Sequence, residues 1–395
     1  MKKVRTCIVT GQYPPQVGGV GHSAYRIANL LADRGYEVHV VAFQKHPQPI
    51  PFDESFTTTR EANVVVHRVK VYYASLADHP GLTESAVLTR YNREMFQALL
   101  YFQNRFQYQV LHAFFLYPAG YIAGLVGKLH GVKTIASIRG NDVGKYVFDP
   151  IRMPLVRSAL QNADYVTSVA TNLIELADRG LTPIAGKSRT ILNSIDFDRM
   201  KVRTRPDYDL RGLVIGTCGL FRYKKGLHYL FKALGRLNGQ VEYTLLLAGD
   251  FFKEEDKEPH LQDLQQNGLT ERTIITGKIP HDQIADYLQL FDILVFPSLY
   301  SEGCPLSMLE GMAMQKAIIA SRAGAIPEII QHGENGMLVE PGSAAEIEQA
   351  ILKLSRDSDL RRKIAANALK TAQTLTLDRE HDAWMQVYRT VLSGA

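Results

Sequence analysis

The strongest constraint on the fold is an alternation of short, β-branched runs with longer helical patterns along almost the whole chain. It begins with the strand-like run "VRTCIVT", the helical run "GHSAYRIANLLADRG" and a second strand-like run, "EVHVVAF". In the helical run Ile27, Leu30 and Leu31 fall on one face, and Gly35 can end the helix. Such alternation predicts an α/β fold in which helices cover parallel sheets.

The alternation is interrupted once, which predicts two domains. The strand-like runs "NVVVHRV", "YQVLHAF", "VKTIASI", "DYVTSVA" and "SRTILN" all come before the interruption. The charged, proline-containing stretch "RMKVRTRPDYDLRG" is typical of an interdomain linker, and "LVIGTCG", "YTLLLAG", "RTIITG", "DILVFP", "KAIIAS" and "GMLVE" follow it. We therefore predict a first domain over residues 1–200, a linker over 201–211 and a second domain over 212–376.

The last stretch, "LDREHDAWMQVYRTVLSGA" over residues 377–395, has a helical pattern of its own. Trp384, Val387, Tyr388 and Val391 recur at helical spacing on one face, and the tryptophan is the only one in the chain. A free helix would leave these large rings in water, so we predict that this helix docks on another element.

Composition indicates an ordinary globular protein with sizeable cores, since 46% of the residues are hydrophobic. The net charge is +5, but Lys and Arg never form a run of five or six, which favours a small anionic ligand or an acidic surface over nucleic acid. Cys7, Cys218 and Cys304 lie far apart, without a C-x-x-C pair or a histidine at ligand spacing, so neither zinc nor a disulfide framework is expected. A reducing cytoplasm fits this pattern. No apolar run reaches the roughly 18 residues of a membrane span.

The first stretch with chemical potential is "GQYPPQVGGVGHSAY", which puts Gly18, Gly19 and Gly21 between a strand and a helix. Glycines at such a turn let a phosphate or sugar approach the backbone and the positive end of the helix. A dinucleotide-binding loop is the rival interpretation, but it requires an acid about 20 residues further on, where Phe43 and Gln44 stand. The third interpretation is a glycine turn that binds no ligand.

The second stretch is "CGLFRYKKGLHYL", directly after the first strand-like run of the second domain. Gly219 lets the chain turn, and Arg222 and Lys225 bring two cations to the carboxyl end of that strand, where open α/β sheets bind ligands. Two cations there suit a diphosphate, since charge-assisted hydrogen bonds contribute about 1.5 to 3 kcal/mol each. The alternative is a charged loop in solvent.

The third stretch, "YSEGCPLSMLEGMAMQKAIIASRAGAIPE", contains two acids eight positions apart, Glu302 and Glu310. On one continuous helix they would stand about 12 Å apart along the axis, which exceeds both carboxylate separations used by glycosidases. Pro305 suits a first helical turn, so Glu302 precedes the helix and Glu310 lies within it. Amides around Cys304, Pro305, Leu306 and Ser307, except at the proline, can then meet a phosphate or sugar hydroxyls. The alternative is an N-terminal acid followed by a surface glutamate.

These motifs, in this order and spacing, resemble those of the family-four retaining glycosyltransferases. The matching landmarks are "GGVG", "RGNDV" at 139–143, "NSID" at 193–196, "CGLFRYKKG", "LLLAGD", "ITGKIP", "DILVFPS", "EGCPLSMLE", "GAIPE" and "ENGMLV". The likeness covers nearly the whole chain. It implies the GT-B fold, in which two Rossmann-like, doubly wound α/β domains face each other across a cleft and the C-terminal helix returns to the first domain.

The resemblance also implies a reaction in which a sugar moves from a UDP- or GDP-sugar to a hydroxyl acceptor with retention of configuration. Glu302 would face the donor sugar, Glu310 would bind the ribose hydroxyls, and Arg222, Lys225 and a helix N-terminus would neutralise the leaving diphosphate. The implied catalytic set is Glu302, Arg222, Lys225, Arg139, Asp142 and His112. The implied donor-binding set is Gly18, Gly19, Gly219, Ile279, Gly303, Cys304, Pro305, Leu306, Ser307 and Glu310.

Neither a metal ion nor another cofactor is expected. "DFD" at 196–198 and "DYD" at 207–209 imitate the metal-binding D-x-D of a different glycosyltransferase fold. We interpret both as decoys, because the first completes "NSID" and the second lies in the predicted linker. The nucleotide sugar is then a substrate, and activity needs neither Mg²⁺ nor Mn²⁺.

Two departures from the family pattern affect single residues. Many relatives have an arginine directly after the glycine equivalent to Gly219, where this chain has Leu220, and its arginine, Arg222, comes two positions later. Many relatives also have a histidine where this chain has Arg139, which cannot act as a base near neutral pH. Arg139 is expected to orient the sugar or an anionic group with Asp142 holding it, and the alternative is a buried structural pair.

His112 matches a family histidine near the cleft, although a lone histidine at a strand end is more often structural. Two other functions stay open: an epimerase or hydrolase of nucleotide sugars with the same fold, and a catalytically inactive nucleotide-sugar-binding protein. The acceptor is not identified by the sequence: it can be a sugar, a lipid-linked molecule or a small molecule. The corresponding processes are the synthesis of cell-envelope polysaccharide, of glycolipids or of small glycosides.

The amphipathic stretch "ESAVLTRYNREMFQALLYFQNRFQYQ" mixes Arg90, Arg93 and Arg105 with aromatic residues. It could rest on an anionic membrane, but we favour a helix that covers the sheet. We therefore expect a cytoplasmic protein, with peripheral contact at the inner face of the membrane as the open alternative.

Overall fold

The computed structural model of the chain describes residues 3–16, 18–300 and 302–394. Met1, Lys2, Val17, Ser301 and Ala395 fall within the predicted domains and tail but lie outside the described residues. The chain separates into two compact units, residues 1–191 with 381–395 and residues 192–380. Every helix in the described part of the chain is too short or too polar to span a bilayer.

The first unit is built on an eight-stranded sheet with the order β3-β4-β2-β1-β5-β6-β7-β8. Its strands are β1 (Arg5–Thr10), β2 (Glu37–His46), β3 (Phe56–Glu61), β4 (Val64–Tyr72), β5 (Val110–Phe114), β6 (Lys133–Ile138), β7 (Tyr165–Ser168) and β8 (Ser188–Thr190). All neighbours pair in parallel except β3, which runs antiparallel to β4. The strand order reverses between β1 and β5, so the topological switch point lies there.

Helices cover both faces of this sheet. They are α1 (Gly19–Asp33), α2 (Glu84–Phe106), α3 (Tyr121–His130), α4 (Asn141–Gly144), α5 (Met153–Asn162) and α6 (Thr171–Gly180). Ile27, Leu30 and Leu31 of α1 are buried in the core on one face, as the helical periodicity predicts. On the other face α2 buries Met95, Leu99 and other apolar residues, so it is a covering helix of this unit.

The second unit contains a six-stranded, entirely parallel sheet with the order β11-β10-β9-β12-β13-β14. Its strands are β9 (Leu213–Phe221), β10 (Tyr243–Phe251), β11 (Thr273–Ile275), β12 (Ile293–Phe296), β13 (Ala317–Ser321) and β14 (Met337–Val339). Its helices are α7 (Leu227–Arg236), α8 (Glu254–Gln266), α9 (Ile284–Leu288), α10 (Leu306–Ala313), α11 (Ile326–Ile329), α12 (Ala344–Arg356) and α13 (Ser358–Gln373). The strand order reverses between β9 and β12. These two sheets confirm the predicted α/β fold class.

The second unit begins at residue 192, whereas the sequence pattern extends the first domain to residue 200. Polar contacts explain the difference. The Asn193 amide donates to the carbonyl of Cys304 at 2.7 Å, and Ser194 donates to the carboxylate of Glu380. The stretch predicted as a linker also follows the second unit, because the carboxylate of Asp286 accepts hydrogen bonds from the amides of residues 203 and 204.

The last helix, α14 (Leu377–Ser393), buries the apolar face read from the tail. From residue 381 onward it belongs to the first unit, where Trp384, Val387, Tyr388 and Val391 all enter the core beside β1 and α1. The Tyr388 hydroxyl lies 3.0 Å from Nδ1 of His112 and 3.4 Å from Oγ1 of Thr6. A polar contact inside this core therefore ties the helix to two strands.

We expect Tyr388→Phe to lower the free energy of unfolding of the first unit by about 1–3 kcal/mol, because Nδ1 of His112 would be left buried without a partner. Urea unfolding followed by the fluorescence of Trp384 measures this unit, since the chain has no other tryptophan. Leu392→Ala, at a position on the same helix that is 37% exposed, serves as the control and should have little effect. Equal losses in the two variants would contradict the role given to the hydroxyl.

Candidate active site

The switch point of the second sheet brings two loops together at the carboxyl ends of β9 and β12. The amide of Leu299 donates to the carbonyl of Lys224 at 2.9 Å, which joins the loops directly. Gly226 has φ +68, and a Cβ there would lie only 2.0 Å from the carbonyl oxygen of Pro297. Open α/β sheets bind their ligands at such a point, so this edge is where a site is expected.

Glu302 is the acid at the centre of this edge. Its side chain is 8% exposed, and its Oε1 lies 2.9 Å from Nζ of Lys225 and 3.8 Å from Nζ of Lys224. The hydroxyl of Ser298 donates to the same oxygen at 3.0 Å. The sequence pattern singles out Glu302 and Lys225, but it does not show that Lys224 and Ser298 also reach the carboxylate.

The electrostatics of this cluster keep Glu302 ionised. Burial, the largest effect, would raise the pKa of the Glu302 carboxyl, but the charges of Lys225 and Lys224 and the hydrogen bonds from Lys225 and Ser298 together hold that pKa below its usual value. Burial also lowers the pKa of the Lys224 ammonium, an effect that the charge of Glu302 opposes. A carboxylate that stays ionised can stabilise positive charge but cannot donate a proton.

The main chain of Glu302 is fixed by a neighbouring glycine turn. Gly324, from the "GAIPE" motif, has φ +57, and a Cβ there would lie 1.6 Å from the carbonyl oxygen of Glu302. The amide of Ala325 donates to the same carbonyl at 3.2 Å. Two residues on, the carbonyl of Cys304 accepts the amide hydrogen bond from Asn193 of "NSID". Both motifs therefore hold the loop that carries the acid.

Helix α10 begins just after this loop, at Leu306, with Pro305 as its N-cap residue and no side-chain cap. The carbonyl of Pro305 accepts from the amides of Met308 and Leu309, so the helix starts where the proline predicts. An uncapped helix N-terminus offers backbone amides and a positive dipole end to an anion. Gly219 has φ +133, and a Cβ there would point toward Oγ of Ser307 at 4.0 Å, so the glycine faces this helix end.

Glu310 lies one turn into α10 and is also buried, with 6% of its surface exposed. Its Oε1 is 3.1 Å from Nε2 of His281, whose side chain is about two-fifths exposed. His281 comes two residues after Ile279, in the loop that follows β11, and Ile279 is half-buried. Sequence reasoning marked Ile279 and Glu310 but missed His281, because nothing in the local spacing links it to a helix so far along the chain.

Arg222 projects from the end of β9 and stacks on an aromatic ring. Its Cζ lies 3.5 Å from the centroid of Phe252, which follows β10. Burial lowers the pKa of the Arg222 guanidinium, and the charges of Glu302 and Asp256 oppose that shift. The arginine therefore lies within electrostatic range of the buried acid, and all of these residues belong to the second unit.

In the first unit, the glycine loop lies at the switch point between β1 and β5. Helix α1 begins after Gly18 without a side-chain cap. A Cβ at Gly18 would come within 2.7 Å of Oε1 of Gln12, whereas at Gly19 no atom would lie within 4 Å. Gly19 thus leaves open space at an uncapped helix end, where an anion or sugar can approach.

Asp142 holds the loop of Arg139 through hydrogen bonds to its main chain. Its carboxylate is fully buried and accepts hydrogen bonds from the backbone amides of Leu116, Arg139 and Gly140 at 2.8 to 3.2 Å. Burial raises the pKa of this carboxyl to about 6, although the three amides oppose the shift. Asp142 therefore fixes the loop backbone. The Arg139 guanidinium donates to Oγ of Ser23 at 2.5 Å and lies near the Phe114 ring.

His112 is a core residue, which corrects its placement among the catalytic residues. It has no exposed surface, and its two ring nitrogens lie 3.0 Å from the Tyr388 hydroxyl and 2.9 Å from Oγ of Ser137. Burial lowers the pKa of His112 to about 3, so the ring is neutral at physiological pH. A ring with both nitrogens occupied inside the core cannot reach a sugar.

Three of the four aspartates in the acidic triplets make local contacts. The carboxylate of Asp196 caps a short turn, Asp198 pairs with Lys201 at 2.7 Å, and Asp209 pairs with Arg211 at 2.8 Å. Within residues 3–16, 18–300 and 302–394, no group of three or more His, Cys, Asp or Glu side chains could hold a metal ion.

Two open α/β sheets, each with a reversal of strand order, define the fold class of the protein. Sucrose-phosphate synthase from Thermosynechococcus elongatus has the same fold, with a TM-score of 0.80 at 20% identity over 100% of both chains. HepE from Anabaena, solved in complex with UDP, gives a TM-score of 0.76 at 18% identity, covering 98% of this chain and 100% of that one. The chain has the GT-B fold of glycosyltransferases.

Sequence comparison gives the family. Residues 18–185 match the profile described as "Glycosyl transferase 4-like domain", and residues 212–357 match the one described as "Glycosyl transferases group 1". N-acetyl-alpha-D-glucosaminyl L-malate synthase of Bacillus anthracis is 26% identical over 362 residues, which cover 90% of this chain and 89% of that protein. The chain belongs to the group 1 glycosyltransferases.

We expect Gly324→Ala to reduce sugar transfer about a hundredfold, because the new Cβ would displace the main chain of Glu302 and so its carboxylate. Gly333→Ala is the matched control, since Gly333 also has a positive φ, +80, but no atom lies within 4 Å of its Cβ position. Backbone strain of about 1 kcal/mol is common to both variants. Turnover and thermal unfolding are measured for each, and equal activities would contradict the steric role of Gly324.

Proposed function

We propose that the protein transfers a sugar from a UDP- or GDP-sugar to a hydroxyl acceptor, with retention of configuration and without a metal ion. The observation that carries this proposal is the buried, ionised carboxylate of Glu302, which is held by two lysines beside the uncapped start of α10. The same edge carries Arg222 and Glu310. Together these groups supply cations and amides for a diphosphate and carboxylates for sugar and ribose hydroxyls.

The nucleotide half of the donor is bound by the second unit. Glu310 accepts hydrogen bonds from the ribose hydroxyls, and its other contact, with His281, uses one carboxylate oxygen and leaves the second available. Lys225, Arg222 and the first amides of α10 contact the diphosphate. As the bond to the sugar breaks, negative charge grows on the leaving phosphate, and these fixed cations and amides stabilise it.

The sugar lies next to Glu302. Because its pKa is held low, Glu302 is an anion at neutral pH and stabilises positive charge at the reacting carbon. The proton of the acceptor hydroxyl passes to the leaving phosphate, which departs from the face that the acceptor attacks, and this geometry retains configuration. No group of the protein is needed as a general base in this scheme.

The first unit contributes its own switch point. The open space at Gly19 and the uncapped start of α1 suit a sugar or phosphate, and Arg139, held by Ser23, places a cation on the same sheet. Asp142 accepts hydrogen bonds from the backbone amides of the loop that carries Arg139, and so positions that loop. A UDP-sugar is the donor named for a structural neighbour, since HepE has been solved with UDP-glucose.

Glu302→Gln and Glu310→Gln should separate the two ends of the donor. We expect Glu302→Gln to lower turnover strongly while UDP or GDP binds no more weakly, because Glu302 faces the sugar. Glu310→Gln should weaken the nucleotide roughly ten- to hundredfold, as expected for the loss of a charged hydrogen bond of about 1.5–3 kcal/mol. Calorimetry and initial rates check both. Equal loss of nucleotide affinity in the two variants would contradict the assignment.

Incubation with a panel of UDP- and GDP-sugars and a set of hydroxyl acceptors tests the reaction itself. We expect a product whose anomeric configuration, read by NMR, is that of the donor, and activity that survives a chelator. Inverted product would contradict retention, and activity lost to the chelator but restored by Mn²⁺ would contradict metal independence. Rapid release of free sugar regardless of acceptor would instead identify a hydrolase.

A further inference from the structure

Arg222 and Phe252 are brought together by the pairing of two strands. β9 and β10 pair in parallel with Phe221 opposite Phe251, and the amide of Phe252 donates to the carbonyl of Phe221 at 2.9 Å. Arg222 and Phe252 each come one residue after these paired positions. The register therefore brings the two residues side by side at the edge of the sheet, and the Cζ of Arg222 lies 3.5 Å from the centroid of the Phe252 ring.

Stacking leaves the hydrogen-bond donors of the arginine free. The guanidinium is planar, with five N–H groups that point outward in its own plane, and the contact with Phe252 places its Cζ over the ring at 3.5 Å. A guanidinium held in this way can still bind two phosphate oxygens at once. An arginine without such support samples many rotamers and loses more conformational freedom when it binds.

This chain has a particular need for that support. Leu220 follows Gly219 directly, and Arg222 is the first cation after this glycine. Arg222 comes three residues after Gly219, so its long side chain needs a contact that fixes its direction toward the edge that carries Lys225 and the start of α10. Phe252 is 47% exposed, so its ring lies at the surface beside Arg222.

We propose that Phe252 is a positioning residue that holds Arg222 for the diphosphate of the donor, an inference that rests on the proposed function. The ring does not contact the nucleotide base or the sugar. The ring fixes the direction of the guanidinium. Removal of the ring therefore weakens most the binding of those ligands whose phosphate groups contact Arg222. A nucleoside diphosphate should therefore be affected more than the corresponding monophosphate.

The test compares the affinities of UDP and UMP, or of GDP and GMP if the wild type prefers guanine, in calorimetry. Phe252→Ala should weaken the diphosphate about tenfold and the monophosphate little, and Phe252→Tyr should stay within about twofold of the wild type. Arg222→Ala should lower the diphosphate preference at least as much. The double variant should equal Arg222→Ala alone, because the ring acts only through the arginine.

Tyr223→Ala is the matched control, since it removes a ring that is 68% exposed from the residue next to Arg222. It should leave the ratio of the two affinities unchanged, and an equal drop would mean that any ring at this edge suffices, which overturns the inference. An unchanged ratio in Phe252→Ala, or additive effects in the double variant, would also overturn it. A wild type that binds neither diphosphate contradicts the proposed function and the inference with it.

Discussion

The contact between the buried carboxylate of Glu302 and the ammonium of Lys225 is the interaction on which the second unit's site depends. A buried carboxylate is costly unless cations and hydrogen bonds compensate it, and here the compensating groups come from several loops. The loop after β9 supplies Lys225 and Lys224, and the loop after β12 supplies Ser298. The turn at Gly324 and the amide of Asn193 hold the main chain around the acid, so four separate segments meet at one charge.

Much of the fold could be predicted because strands buried on both faces appear as short apolar runs. β3 was missed for the opposite reason: "FTTTRE" is a mostly exposed edge strand, and it has no apolar alternation to reveal it. The second unit begins at residue 192 and not at the predicted linker, because polar hydrogen bonds determine where this boundary falls. Asn193 and Ser194 belong to the second unit through hydrogen bonds to Cys304 and to Glu380, and hydrophobic periodicity carries no trace of such contacts.

In the candidate site, too, residues within one continuous motif could be predicted, and residues brought together by the fold could not. The sequence brings out Glu302, Glu310 and the start of α10, because they lie in one continuous motif whose proline marks the helix. His281 and Phe252 follow β11 and β10, and only the strand order brings them to residues of other loops. His112 was misplaced, since the end of a strand predicts proximity to a site but does not show which way the ring points.

The pairing of Glu302 with two lysines has a consequence for what the site rejects. Lys225 already has the carboxylate of Glu302 beside it, so an inorganic phosphate that binds this lysine must compete with a carboxylate of the protein itself. A small anion interacts with the lysine through its charge alone. A ligand that also reaches Glu310 and the start of α10 brings further contacts, so the ion pair acts as a threshold that favours large, multiply anchored molecules over simple ions.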